Sequence, residues 1–192
     1  MITVGKLAPD FTCKGIVDGQ IKKVSLSDIK NKYKLLLFYP LDFTFVCPTE
    51  LHTLQTYLQE FKNLNVEVLA ISIDSVFSHL AWLNTPKSKG GIEGITFPLL
   101  SDIKKNICKD YEVLIEEEGV ALRGAFIIDK DNVIQQATIN NLPLGRNISE
   151  FLRLFKALQH VEKHGEVCPA NWNEEQKAMK PTTKGLSEYF GG

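Results

Sequence analysis

Short apolar runs alternate along the chain with segments whose apolar residues fall three and four positions apart. Leu35-Leu-Leu-Phe-Tyr39 and Val66-Glu-Val-Leu-Ala-Ile-Ser-Ile73 have the length and side chains of buried strands. After Pro48, Leu51, Leu54, Leu58 and Phe61 mark one face of an amphipathic helix. Ser75 can cap a second helix that runs through Trp82 and ends at Pro86. Phe97-Pro-Leu-Leu100 reads as a short strand, and Asp102 as the cap of a helix reaching Tyr111. Strand, helix, strand, helix at this spacing argues an α/β sheet with a parallel pair.

Two hairpins complete the sheet. Asp18-Gly19 between Ile16-Val17 and Gln20-Ile21 is an N-terminal one, and Asp129-Lys-Asp-Asn132 joins Ala125–Ile128 to Val133–Ile139. The sheet is therefore mixed. Asn147 and Glu150 have capping-box spacing before a helix through Phe151, Leu154, Phe155, Leu158 and Val161, which Gly165 ends. The stretch from Pro86 to Gly94 is basic and glycine-rich, the composition of a mobile surface loop, and lacks the G-x-x-x-x-G-K-[ST] pattern of a phosphate cradle. Beyond Gly165 charged residues dominate, and Trp172, Met179, Leu186, Tyr189 and Phe190 are too few to build a core. Such a tail is either disordered or an arm laid on another surface, and its aromatic residues favour an arm. The expected organisation is a domain over 1–164 and an arm over 165–192.

With 192 residues, 44% of them hydrophobic, the chain can bury the core of one domain. A net charge of −1 gives no reason to expect nucleic acid or a membrane surface as partner. No secretory apolar region and no membrane-length run is seen, so a cytoplasmic location is expected. Cys13, Cys47, Cys108 and Cys168 are scattered without a C-x-x-C, which is neither a disulfide framework nor a zinc site.

Cys47 stands where a strand hands over to a helix, with Pro48 suited to the first helical position. Unpaired N–H groups and the helix dipole favour a thiolate there. The dipole supplies about 0.3–1 kcal/mol, whereas one pKa unit takes about 1.4 kcal/mol. A strongly activated Cys47 therefore needs a cation from elsewhere. A small buried hydrophobe is the other reading of the same position. Cys13 reads as a strand residue without chemistry, Cys108 as structural, and His79 and Trp82 as packing residues.

Longer motifs carry a resemblance. Pro40-Leu-Asp-Phe-Thr-Phe-Val-Cys-Pro-Thr-Glu50 resembles the peroxidatic-cysteine loop of the typical two-cysteine peroxiredoxins. Gly165-Glu-Val-Cys-Pro-Ala-Asn-Trp172 resembles their resolving-cysteine segment. His79-Leu-Ala-Trp-Leu-Asn-Thr-Pro86, Leu122-Arg-Gly-Ala-Phe-Ile-Ile-Asp129, Leu142-Pro-Leu-Gly-Arg146 and Tyr189-Phe190 follow in family order.

The resemblance implies a thioredoxin-like mixed sheet flanked by helices, with an N-terminal hairpin and a C-terminal arm. It also implies thiol-dependent reduction of hydrogen peroxide and organic hydroperoxides without metal or cofactor. Cys47 would attack the peroxide, and Arg123 would be the missing cation. Thr44 would hydrogen-bond at the peroxide, and Pro40 would exclude water. Glu50 would orient Arg123 and Arg146 by bidentate hydrogen bonds, a role compatible with that of a first-turn carboxylate at a helix start. Cys168 of a partner subunit would close a disulfide with the Cys47 sulfenic acid. A thioredoxin-like or flavoprotein disulfide reductant would reopen it, in a homodimer that assembles into a ring of dimers, a decamer. Pro48 would let the helix start unwind for that step.

One departure stands out. The family's peroxide-sensitive members pair a Gly-Gly-Leu-Gly loop with the Tyr-Phe tail, and here the loop reads Gly90-Gly-Ile-Glu93. A glycine at that place would supply positive φ or close approach, which Glu93 resists, so intermediate resistance to overoxidation is expected. Thiol–disulfide exchange is the rival enzyme class, disfavoured by the absence of C-x-x-C, and a chaperone is the rival outside enzymes.

Overall fold

In the computed structural model, which describes residues 3–191, one mixed seven-stranded sheet has the order β2-β1-β5-β4-β3-β8-β9. Its strands are β1 (Thr12–Val17), β2 (Gln20–Ser25), β3 (Tyr33–Phe38), β4 (Val66–Ser72), β5 (Leu99–Ser101), β8 (Arg123–Ile128) and β9 (Ile134–Asn140). A small separate hairpin joins β6 (Leu114–Ile115) to β7 (Val120–Ala121). The helices are α1 (Cys47–Thr56), α2 (Leu58–Asn63), α3 (Val76–Leu83), α4 (Asn106–Asp110), α5 (Ile148–His164) and α6 (Thr183–Gly191). The chain divides into two units between residues 146 and 147. No helix among the described residues is long and apolar enough to cross a membrane.

β3 and β4 are parallel, as are β4 and β5, because α1–α2 and α3 carry the chain back across the sheet each time. All six residues of β3 are buried, which explains an unbroken apolar run where a one-sided strand would alternate. Leu36, Phe38, Leu69, Ile71, Leu100, Tyr111 and Phe126 share one core cluster. The Asp18-Gly19 turn has both residues at positive φ, 53° and 72°, the geometry whose twist matches a two-residue hairpin.

Several local expectations are corrected. The helix after Cys47 breaks at Tyr57 (φ −94°, ψ 0°), so the apolar stripe spans α1 and α2. Cys47 itself is the first residue of α1, with Pro48 second. Asp102 is not itself the N-cap residue of α4, which is Lys105, but its carboxylate accepts a first-turn N–H of that helix, from Cys108 at 2.7 Å. Asn147 caps α5 through Ser149 N–H at 3.1 Å, but Glu150 turns to Arg153 at 2.7 Å instead of closing a box. Loop 86–94 is held down: Trp82 Nε1 donates to Gly90 O at 2.8 Å, His52 Nε2 lies 3.0 Å from Gly91 O, and Ile92 is buried. The left-handed residues of this loop are Gly90 (φ 75°) and Gly94 (φ 92°), so Glu93 does not strain it.

In the second unit, residues after Gly165 fold back on α5. Arg153 Nη1 donates to Trp172 O at 2.8 Å, Lys156 pairs with Glu174 at 2.6 Å, and the Trp172 ring packs on His160. Val167 and Met179 form an antiparallel bridge.

Candidate active site

The register of β3 against β8 sets the site. Leu37 lies opposite Ala125, so Arg123, two residues earlier in β8, projects past the end of β3 where the Cys47 loop begins. That loop runs from Pro40, which is buried, to α1. Cys47 is fully buried at the first turn of α1. Two donors converge on its sulfur: Thr44 Oγ1 at 2.9 Å and Arg123 Nη1 at 3.4 Å.

Thr44 Oγ1 also lies 2.8 Å from Leu41 O, and one hydroxyl proton serves one acceptor at a time. With a protonated thiol, Thr44 donates to Leu41 O and accepts from sulfur. With a thiolate, it donates to sulfur. The same hydroxyl thus suits both protonation states without moving.

Arg123 is anchored by Nε donating to Leu142 O at 2.6 Å and by Nη1 donating to Glu50 Oε2 at 2.9 Å. Arg146 meets Glu50 as a fork, Nε to Oε1 and Nη2 to Oε2, each 2.8 Å, and its Nη1 donates to Phe38 O and Gly124 O. Burial pushes the Glu50 carboxyl up, but the hydrogen bonds and charge of Arg146, with the charge of Arg123, outweigh it and hold the group below its ordinary 4.5. Glu50, Arg123 and Arg146 are all buried, so two permanent cations face one carboxylate. The guanidinium left in excess is the one that reaches Cys47. Of the residues expected around Cys47, Thr44 and Arg123 reach its sulfur, Glu50 and Arg146 stand behind Arg123, and Pro40 is buried at the start of the loop.

The other thiols differ. Burial, with the Asp102 charge, pushes Cys13 up to about 12 and pushes Cys108 higher still. Cys168, in the second unit, is half-buried with Sγ 3.7 Å from Ala157 O. Burial pushes its thiol up, Arg153 opposes this, and Glu166 adds to it. All four cysteines are free.

Sequence reasoning missed a buried polar network behind the loop. Asp42 and His79 are both buried, with His79 Nδ1 2.9 Å from Asp42 Oδ2. Tyr39 OH and Ser78 Oγ each donate to Asp42 at 2.8 Å. His79 is thus more than the packing residue its helical position suggests. The only signal in the sequence is a run of polar residues on an otherwise apolar helix.

Residues 4–137 match the AhpC/TSA family, and residues 157–192 match the C-terminal domain of 1-Cys peroxiredoxin. The chain is 52% identical over 187 residues to a thioredoxin peroxidase of Echinococcus granulosus, covering 97% of either chain. It is 53% identical over 188 residues to a chloroplastic 2-Cys peroxiredoxin of Hordeum vulgare, covering 97% of this chain and 90% of that one. Its structure is similar to that of reduced Plasmodium vivax 2-Cys peroxiredoxin, with a TM-score of 0.96 at 46% identity over 98% of each chain.

Proposed function

Because this chain belongs to the AhpC/TSA family and, within it, to the two-cysteine peroxiredoxins, we propose that Cys47 is the thiol that attacks peroxide and Cys168 the thiol that resolves the product. The protein is a thiol-dependent peroxidase with a thioredoxin-like fold. The observation that carries the assignment to Cys47 is the convergence of Thr44 Oγ1 and Arg123 Nη1 on its buried sulfur, at 2.9 and 3.4 Å.

In the first step the Cys47 thiolate attacks one peroxide oxygen. The O–O bond breaks, an S–OH bond forms, and the leaving alkoxide or hydroxide takes a proton from the medium to become alcohol or water. Arg123 and Thr44 hold the peroxide and stabilise the charge that moves onto the leaving oxygen, while Pro40 screens the sulfur from water. Glu50 fixes both guanidinium groups, and Arg146 locks Glu50. In the second step Cys168 of the partner subunit attacks the sulfenic sulfur, and water leaves as the disulfide forms. A thioredoxin-like or flavoprotein dithiol then exchanges with that disulfide and restores both thiols.

The segment 165–192 is the arm that carries Cys168, appended to the peroxidase domain over 1–164. The working form is a homodimer, further assembled as a ring of five dimers, in the cytoplasm. Four scattered free thiols suit that reducing compartment.

Cys47→Ser is expected to abolish peroxide reduction, with Cys13→Ser and Cys108→Ser close to wild type. Cys168→Ser should consume about one peroxide per Cys47 and then fail to turn over with a dithiol protein. Full activity in Cys47→Ser overturns the assignment.

A further inference from the structure

Phe43 stands between two residues that the site holds fast. Its φ is 56°, in the left-handed region where a Cβ crowds the backbone. For a bulky aromatic residue this conformation persists only when the surroundings over-determine it. The ring does little of that work, being 52% exposed with a tilted contact to Trp82 at 5.9 Å between centroids.

The backbone on either side is what is fixed. The Asp42 carboxylate takes donors from Tyr39, Ser78 and His79, at 2.8, 2.8 and 2.9 Å. Its own N–H donates to Asp74 Oδ2 at 2.9 Å, and Ser72 Oγ donates to the same oxygen at 2.7 Å. His79 Nε2 lies 3.2 Å from Leu100 O, so acceptors face both ring nitrogens. On the far side of Phe43, Thr44 is held at Leu41 O and Cys47 Sγ. Only the left-handed turn at Phe43 connects the two.

We propose that the buried Asp42–His79 pair is a clamp that keeps Phe43 left-handed and thereby aims the Thr44 hydroxyl at Cys47. Asp42 and His79 are then positioning residues for the peroxide step, a role that rests on the reading of Cys47 and Thr44 given above. Strain at Phe43 serves the orientation of its neighbour. A glycine at 43 would need no clamp, since glycine takes positive φ about as readily as negative.

The test is the rate of the Cys47 reaction with hydrogen peroxide in Asp42→Asn, Phe43→Gly and the double variant. Asp42→Asn keeps the size of the side chain but turns one acceptor into a donor that opposes its partners. It is expected to slow the peroxide step about 5–30-fold, the population that an unclamped L-residue loses from the left-handed region. In the F43G background the same substitution should cost less than about twofold. Alkylation of Cys47 by iodoacetamide, which needs no hydroxyl to hold a peroxide, should fall less than the peroxide step in Asp42→Asn. Equal losses in both backgrounds overturn the clamp and leave the pair a purely structural network. If Asp42→Asn does not fold, Tyr39→Phe, which removes a single donor, goes through the same cycle and should show a smaller loss that F43G again cancels. Peroxide reduction by Cys47→Ser sinks the underlying assignment, whereas an intact rate in Asp42→Asn sinks the clamp alone.

Discussion

Two buried guanidinium groups against one buried carboxylate is an expensive arrangement unless something balances the excess charge, because an ion loses its hydration on burial. Arg123, the guanidinium left in excess, is the one that reaches the Cys47 sulfur, at 3.4 Å. Removing a donor aimed at the reacting atoms typically costs roughly 10²–10³-fold in rate. Arg123→Ala and Thr44→Val should each slow the peroxide step by that order, read by stopped-flow, and an unchanged rate in either would show that the donor is misassigned. Glu50 adds a pH signature. Its folded-state pKa is depressed, so its stabilising contribution is complete above the ordinary 4.5 and is lost as pH falls through the lower folded value. Wild type should therefore lose thermal stability below that pH more steeply than Glu50→Gln, which has no carboxylate there to titrate; parallel curves would show that the triad does not couple to folding. Little of this site was legible from local pattern. Arg123 lies 76 residues from Cys47 and Arg146 lies 96 from Glu50, so no periodicity links them, and in the sequence only the resemblance joins them. Asp42 and His79 both lie in motifs that carry the resemblance, yet their pairing went unread, because a buried histidine and a packing histidine look alike along a helix.

At the scale of elements, the strands were legible because burial on both faces writes itself as an apolar run, and the turn at Asp18-Gly19 because it demands positive φ. Helix starts were harder. Asp102 reaches the first turn of α4, at the Cys108 N–H, from upstream of its N-cap Lys105, and Glu150 turns to Arg153 instead of closing a box. Loop 86–94 was misread as mobile for a related reason: its composition is that of a surface loop, while its anchors, Trp82 and His52, lie elsewhere in the sequence. The close approach in this loop is at Gly91, where a Cβ would lie 1.9 Å from Thr85 O, and not at Glu93. Gly91→Ala should therefore cost about 1–3 kcal/mol, as forced overpacking does, whereas Glu93→Gly should cost at most about 1 kcal/mol from added backbone entropy. Thermal melts of the two variants decide it, and equal shifts would mean that the loop yields at no cost.

For the whole molecule, the proposed Cys47–Cys168 disulfide sets the strictest condition. A disulfide brings two sulfurs to about 2.05 Å, yet Cys47 is fully buried in the first unit and Cys168 half-buried in the second. Cys47 must therefore be exposed before such a bond closes, and the first turn of α1 is where it would be released. Whether the partner thiol comes from the same chain or another is decided by complementation. Cys47→Ser and Cys168→Ser proteins are each unable to turn over, but when their subunits exchange, a mixed dimer pairs Cys47 of one chain with Cys168 of the other. Random mixing makes about half the dimers mixed, each with one working pair of two, so about a quarter of wild-type turnover should return if the two-fold dimer is the working unit. The same mixed dimer should run as a disulfide-linked species on a non-reducing gel after peroxide. Within a single chain no such pair exists in either variant, so mixing that restores nothing, after subunit exchange is verified by mass, would place the disulfide inside one chain and remove the partner subunit from the cycle.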